Sequence, residues 1–243
     1  MIDLAGFDKV CRQTGDLDDV LNARLRMQVG DALGLPFNAM FPAFAEAFPQ
    51  TTLAILNNFS IPIALFKKFM GEWLSYLVAE RDTTNLFFNL VPLAYETQGA
   101  SFEEEHAMLP VRWKELYRYF SSIVISEESI KPMNWRNTPF PYEGRLSLER
   151  YRQLCGVKKA QVRSFAQSVG SEQLYCWLLT DDQDALFIDE QRCDRKVYHV
   201  KRNDFGNYSV LEDPEGTLDA YLAHYVSSLS SAGFDFCRSS VQS

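Results

Sequence analysis

Glu103-x-x-His106 sets a carboxylate and an imidazole three residues apart, the spacing that places both on one helix face in di-iron proteins. Such a centre needs a second motif of the same kind, and this one stands alone. The run Glu103-Glu104-Glu105 has a simpler reading as negative charge at the positive end of a helix dipole. Asp182-x-Asp184 with Glu190 resembles part of a calcium loop, but the central glycine is missing and Leu186 occupies a ligand position, which leaves a solvated turn. Cysteine nucleophile chemistry needs a histidine beside the thiol and a third group to orient it, and Cys155, Cys176 and Cys193 are the candidates to meet His199. Strand alternation puts Cys176 on one face with Leu174 and Leu178, which is a core pattern. His199 and His224 read as structural or exposed. No G-x-S-x-G elbow, P-loop, dinucleotide fingerprint or paired Cys/His zinc spacing occurs, so neither cofactor nor metal is expected and the chain reads as a non-enzyme.

Charge carries a different kind of signal. Asp181, Asp182 and Asp184 crowd one turn, with Asp189 and Glu190 on the following segment, and such a group can steer a basic partner and pair with its cations. Lys158, Lys159, Arg163, Arg192, Arg195, Lys196, Lys201 and Arg202 form a locally basic set, readable as the rim of a binding face or as alternating charge on a solvated sheet. The formal net charge is −8, which makes non-specific binding to nucleic acid or anionic lipid unfavourable and leaves a basic protein as the natural partner. Five widely spaced cysteines without a C-x-x-C pair indicate reduced, cytoplasmic usage. The first residues show no basic stretch followed by an apolar one, so no secretory signal is expected. The most hydrophobic window, residues 51–78, is interrupted by Asn57, Asn58, Lys67, Lys68 and Glu72 and does not qualify as a membrane span.

The elements that must position these residues divide the chain in two. From Leu174 to Leu211 short aromatic and β-branched runs alternate with turns: 174–180, 185–189, 196–201 and 208–211 read as an antiparallel meander. Asp213-Pro214-Glu215-Gly216 reads as a turn, Thr217 as an N-cap, and Leu218, Tyr221, Leu222, Tyr225, Val226 and Leu229 as one helical stripe covering the sheet. Upstream, residues 102–106, 113–120 and 146–154 read as helices, the last ending at Gly156, and Ile123–Ile125 as a short strand. The first hundred residues read as helical: one helix from Asp16 to about Val29, a Phe-rich one from Phe37 to Phe48, and a third from Ser60 whose stripe is Phe66, Phe69, Met70, Trp73, Leu74 and Leu77. The expected architecture is therefore α+β, with a helical region over residues 1–100 and an α+β domain over 101–243, divided in the polar stretch 96–101.

An acidic helix, then Leu109-Pro110 leading into Trp113, Leu116, Tyr117 and Phe120, then a Pro-rich loop with Trp135, Phe165-Ala166 before the meander, and the closing helix to Leu229 together resemble the SUKH superfamily. The resemblance covers residues 102–229. It implies an intracellular immunity protein that neutralises a bacterial toxin by direct contact; charge then makes the acidic group Asp181, Asp182, Asp184, Asp189 and Glu190 the expected surface for a basic toxin. The alternative expectation is an enzyme or small-ligand protein with its pocket between the helical half and the sheet.

Overall fold

The computed structural model describes residues 7–17, 21, 23–69, 71–90, 102–126, 145–180, 182–192 and 194–237. Two five-stranded antiparallel sheets, with helices between and outside them, give an α+β architecture. The chain opens with β1 (Lys9–Cys11) and continues through α1 (Ala23–Val29), α2 (Phe37–Met40), α3 (Pro42–Ala47) and α4 (Pro49–Asn58). Asp16, expected to open the first helix, instead closes a 3-10 turn, where its carboxylate accepts the Arg12 and Gln13 amides at 2.8 and 3.1 Å. Pro42 and Pro49 each stand at a helix start, and so the Phe-rich run from Phe37 to Phe48 folds as two short helices and not one, with α4 beginning directly after it. Proline suits the first turn and cannot extend a helix already running.

The first sheet is completed by β2 (Ile63–Phe69), β3 (Glu72–Arg81), β4 (Thr84–Leu90) and β5 (Phe120–Ser126), hydrogen-bonded in the order β1-β2-β3-β4-β5. Here the expected helix from Ser60 to Leu77 is overturned: those residues form the β2–β3 hairpin, turning at Gly71 with φ +88°. The cause is a sheet apolar on both faces. Ala64, Phe66, Leu77, Ala79, Leu86, Phe88 and Ile123 face the main core, while Leu65, Val78, Phe87 and Val124 cluster on the other side. With both strand parities apolar there is no clean alternation, and a helical stripe can be traced through the same residues.

Between β4 and β5 lie α5 (Phe102–Glu105) and α6 (Trp113–Tyr119). The division expected near residue 100 thus falls between neighbouring strands of one sheet, with β4 and β5 paired from Asn85↔Ser126 to Leu90↔Phe120. Ser101, the stretch 96–101 and the loop containing Trp135 lie outside the described residues.

The second half follows the expected meander closely. β6 (Leu146–Ser147) leads into α7 (Leu148–Cys155), capped by the Ser147 hydroxyl, which accepts the Arg150 amide at 3.3 Å, and ended by Gly156 at φ +68°. An additional helix, α8 (Lys159–Val169), carries Phe165 toward the sheet. Then come β7 (Leu174–Leu179), β8 (Ala185–Asp189), β9 (Val197–Lys201) and β10 (Asp204–Val210), in the order β10-β9-β8-β7-β6, and α9 (Pro214–Ser228). α9 begins four residues earlier than expected: its N-cap is Asp213, accepting the Gly216 amide at 3.0 Å, and not Thr217, which is buried inside the first turns. Its stripe of Leu218, Tyr221, Leu222, Tyr225 and Val226 is buried, and Leu229 is the left-handed C-cap.

One core joins the inner faces of both sheets. Phe37, Phe41, Phe44, Phe48, Phe88 and Phe120 pack with Trp113 and α9 on one side and with Trp177, Leu178, Leu186, Ile188 and Val197 of the second sheet on the other. α7 and α8 cover the outer face of the second sheet, where Tyr151, Phe165, Phe187 and Phe205 meet. Asp219, a buried acid in the middle of α9, accepts the Gln50 amide at 3.0 Å, the Thr51 amide at 2.9 Å and the Thr51 hydroxyl at 2.8 Å. It supplies the N-terminus of α4 with a cap from across the core, since Phe48 at the cap position has no side-chain acceptor. No helix among the described residues is long and apolar enough to cross a membrane.

Candidate functional site

The acidic group expected to meet a partner is dispersed by the fold. Asp181 lies outside the described residues, and Asp182 is exposed. Asp184 is tied into its own turn: Oδ1 accepts the Arg202 amide at 2.9 Å, Oδ2 lies 3.8 Å from His199 Nε2, and its amide donates to Thr180 Oγ1. Asp189 is 1% exposed and serves the interior, where Oδ1 accepts the Ser171 hydroxyl at 2.7 Å and the Gln191 amide at 3.0 Å, while Oδ2 faces Arg192 Nε at 3.4 Å. Glu190 pairs with Arg145 at 2.9 Å, and that guanidinium also covers the rings of Tyr175 and Trp177. Asp189 and Glu190 are therefore corrected from partner-binding to structural residues. The last positions of a strand at a sheet's end are adjacent in sequence to an exposed turn but not in exposure.

Burial lifts the Glu190 carboxyl above its usual range, opposed by Arg145 and by the Trp177 indole N–H. A carboxyl with a raised folded-state pKa favours folding while protonated; that contribution is full below the unfolded pKa and is lost as pH rises through the folded one. Glu190→Gln should therefore flatten the decline in stability that this group contributes as pH rises above about 4, measured by urea unfolding across pH. An unchanged pH profile would show that the Arg145 pair cancels the burial cost.

The chemistry-bearing pairs separate as well. Glu103 turns to Lys114 and Arg118, at 3.0 and 2.9 Å, whereas His106 is buried, with Nδ1 at 2.9 Å from the Phe102 carbonyl and Phe102 stacked on its ring. Cys155 and Cys176 lie in the core beneath α7 and α8, and burial pushes the Cys176 thiol well above its ordinary range. His199 pairs across the strands with Leu186, on the opposite face, and stacks on Phe236 at 4.5 Å. The second sheet stands between the Cys176 thiol and the imidazole, in keeping with the reading of Cys176 as a core residue; Cys193 lies outside the described residues. The expected sharing of one face by Cys176 and Leu178 also fails, because a bulge between them puts Trp177 and Leu178 together toward the main core. Among the described residues no three His, Cys, Asp or Glu side chains gather into a metal-binding group.

The basic set divides likewise. Arg192 reaches the Gly170 carbonyl and Asp189, Arg202 the Cys155 carbonyl, and Lys196 its neighbour Asp194. Arg195 remains at the mouth of an open cleft of about 470 Å³ where four segments meet: the residues before α6, the β8–β9 turn, the end of β10 and the start of α9. Val111 and Val210 line it and are 64% and 44% exposed. Neither was singled out from sequence, since an apolar residue at a strand end is exposed or buried by what folds over it. One lip carries Glu212, Asp213 and Glu215, the other Asp194, Arg195 and Lys196. The cleft is held open by firm local structure. Trp113 donates its indole N–H to the Pro214 carbonyl at 2.9 Å, Arg112 donates its amide to Glu215 at 3.1 Å, and Arg195 takes φ +51° in a turn closed by Asp194. A second cleft, of about 660 Å³, is polar and lies at the end of α8 beside Arg163, Gln167, Ser171 and Glu172.

Neither cleft lies between the first-half helices and the second sheet, where a substrate pocket was expected. That space is filled by aromatic side chains and by α9, whose Asp219 is bonded to α4. The described groups whose titration burial displaces, Cys11, Tyr117, Tyr119, Tyr151, Cys176, Glu190 and Tyr198, line neither cleft. No family model, curated protein or solved structure matches the chain.

Proposed function

We propose that this protein acts by direct contact with a protein partner, as an intracellular immunity protein that neutralises a toxin without chemistry of its own. The observation that carries this reading is the cleft at Val111 and Val210: exposed aliphatic side chains, an acidic lip and a rigid surround. Exposed apolar area rimmed by charge is what a contact surface offers to a protein, whereas catalysis calls for convergent polar groups with displaced pKa values in an enclosed site. The net charge of −8 supports a basic partner, whose approach it accelerates at low salt. The SUKH resemblance of residues 102–229 supplies the immunity role, and the meander closed by α9 is the part of the molecule that carries it.

Affinity capture with the tagged chain from its own host tests this directly. One protein retained in stoichiometric amount after a salt wash is the expected result. Retention of no protein would overturn the reading.

A further inference from the structure

We propose that the partner is recognised through strand addition: an extended segment, aliphatic with a basic residue at one end, pairs with the outer side of β10 and lays its apolar side chain between Val111 and Val210. The inference rests on the contact reading above and names its mode.

β10 is the last strand of its sheet, and among the described residues no strand pairs with its outer side. Sheet edges are commonly blunted by charge, bulges or short length, because unpaired amides and carbonyls invite another chain. β1 has Lys9 at its edge, β6 is only two residues long, and β5, the other edge of the first sheet, has Ser122, Ile123 and Val124 buried. β10 is irregular between Asp204 and Tyr208, which disfavours pairing over that part, but Tyr208-Ser209-Val210 is regular, uncharged and paired to β9 on its inner side only. The strand runs directly into the cleft. A chain added along Tyr208–Val210 would place alternate side chains beside Val210 and the exposed Val111.

Charge selects the segment. Beyond Val210 the chain continues into Glu212 and Asp213, then Glu215. Glu215 is answered by Arg112 at 3.5 Å, and across the cleft Asp194 is answered by Lys196 at 3.3 Å. Glu212 is exposed and has no such counter-charge among the described residues, so a lysine or arginine at the end of the added strand that passes this lip completes it. Backbone pairing supplies affinity, the valine pair selects an aliphatic residue, and the acidic lip selects direction.

The test uses three labelled seven-residue peptides: alternating lysine and valine, alternating glutamate and valine, and the first with its central valine N-methylated to remove a strand-pairing N–H. Fluorescence anisotropy gives affinity, and backbone amide shifts give position. The lysine–valine peptide should shift Tyr208 to Glu212, bind at least about tenfold more tightly than either control, and lose about tenfold in affinity on Val210→Lys with Glu212→Lys. Both substitutions are at exposed positions, and an unchanged amide spectrum elsewhere confirms the fold. Equal binding of the N-methylated peptide, shifts confined to other surfaces, no binding, or a β10-mediated dimer of the free protein would each overturn strand addition. A captured partner whose retention survives the double substitution would also overturn it while leaving the contact reading intact. Peptide pairing at β10 with no partner captured would do the reverse.

Discussion

Replacing Asp219 with alanine lowers the free energy of unfolding by about 3 kcal/mol. The carboxylate is buried and receives three hydrogen bonds, two from the first amides of α4 and one from the Thr51 hydroxyl. Alanine leaves the buried Thr51 amide without its acceptor, while the Thr51 hydroxyl keeps the residue 219 carbonyl at 3.1 Å, and an unsatisfied buried donor costs roughly 1–3 kcal/mol. Part of the loss is offset because a desolvated carboxylate is removed with them. Asp219→Asn keeps one carbonyl acceptor and should lose about half as much. Urea unfolding at neutral pH checks the size, and amide exchange checks the cause. Thr51 should lose protection in the alanine variant before the β7–β9 strands do. A loss under about 0.5 kcal/mol, the range of ordinary surface substitutions, would mean that α4 is capped in some other way.

Phe120→Ala has the largest expected effect among apolar positions, about 4 kcal/mol. The ring is fully buried and lies 5.1 Å from Phe41, 5.4 Å from Phe44 and 5.3 Å from Phe88, with Phe37 stacked at 6.2 Å. Four aromatic neighbours on different elements cannot collapse together into the space, and the cost of a cavity grows with what stays open. The position also reports on organisation. Phe120 opens β5 and ends α6, so it ties the segments after residue 100 to helices and strands before it. Because one core spans both sheets, the substitution should lower the unfolding midpoint seen by probes in the first and second sheets together. A first-sheet transition that shifts alone would divide the molecule into two cooperative units.

What the sequence reveals about this fold depends on whether a segment is buried on one side or two. α7 has one apolar stripe and one solvated face and ends at Gly156 as expected, whereas in α9 the spacing of Leu218 to Val226 marks the buried stripe but the cap, Asp213, falls ahead of the expected Thr217. β8 and β9 are framed by turn residues, and their bounds fall within a residue of expectation. β2 and β3 are buried on both faces, so period cannot distinguish strand from helix there, and Gly71 at positive φ was the local sign of a hairpin. α8 carries Val162, Phe165 and Val169 at helical spacing, but Lys158 at its N-cap offers no side-chain acceptor and its first turn has no acid, so nothing local marks its start. At the candidate site, the acidic turn was legible in the sequence but the burial of its members was not. Asp184 and Asp189 were readable as acids, but their partners, Arg202 and Ser171, come from other loops and are set by tertiary packing. Asp219 did leave a trace: an acid three residues before Leu222 on an apolar helix face must find donors when that face is buried. The Val111–Val210 pair left none, since the two residues are about a hundred positions apart and meet only when β10 ends against the approach to α6.

The claim on which the account turns is that this chain protects a cell by holding a protein partner. Growth of a host expressing the captured partner, alone and together with this chain, measures that protection. Arrest with the partner alone and restored growth with both is the expected result, whereas a partner that leaves growth unaffected, or arrests it equally in the presence of this chain, would contradict the claim.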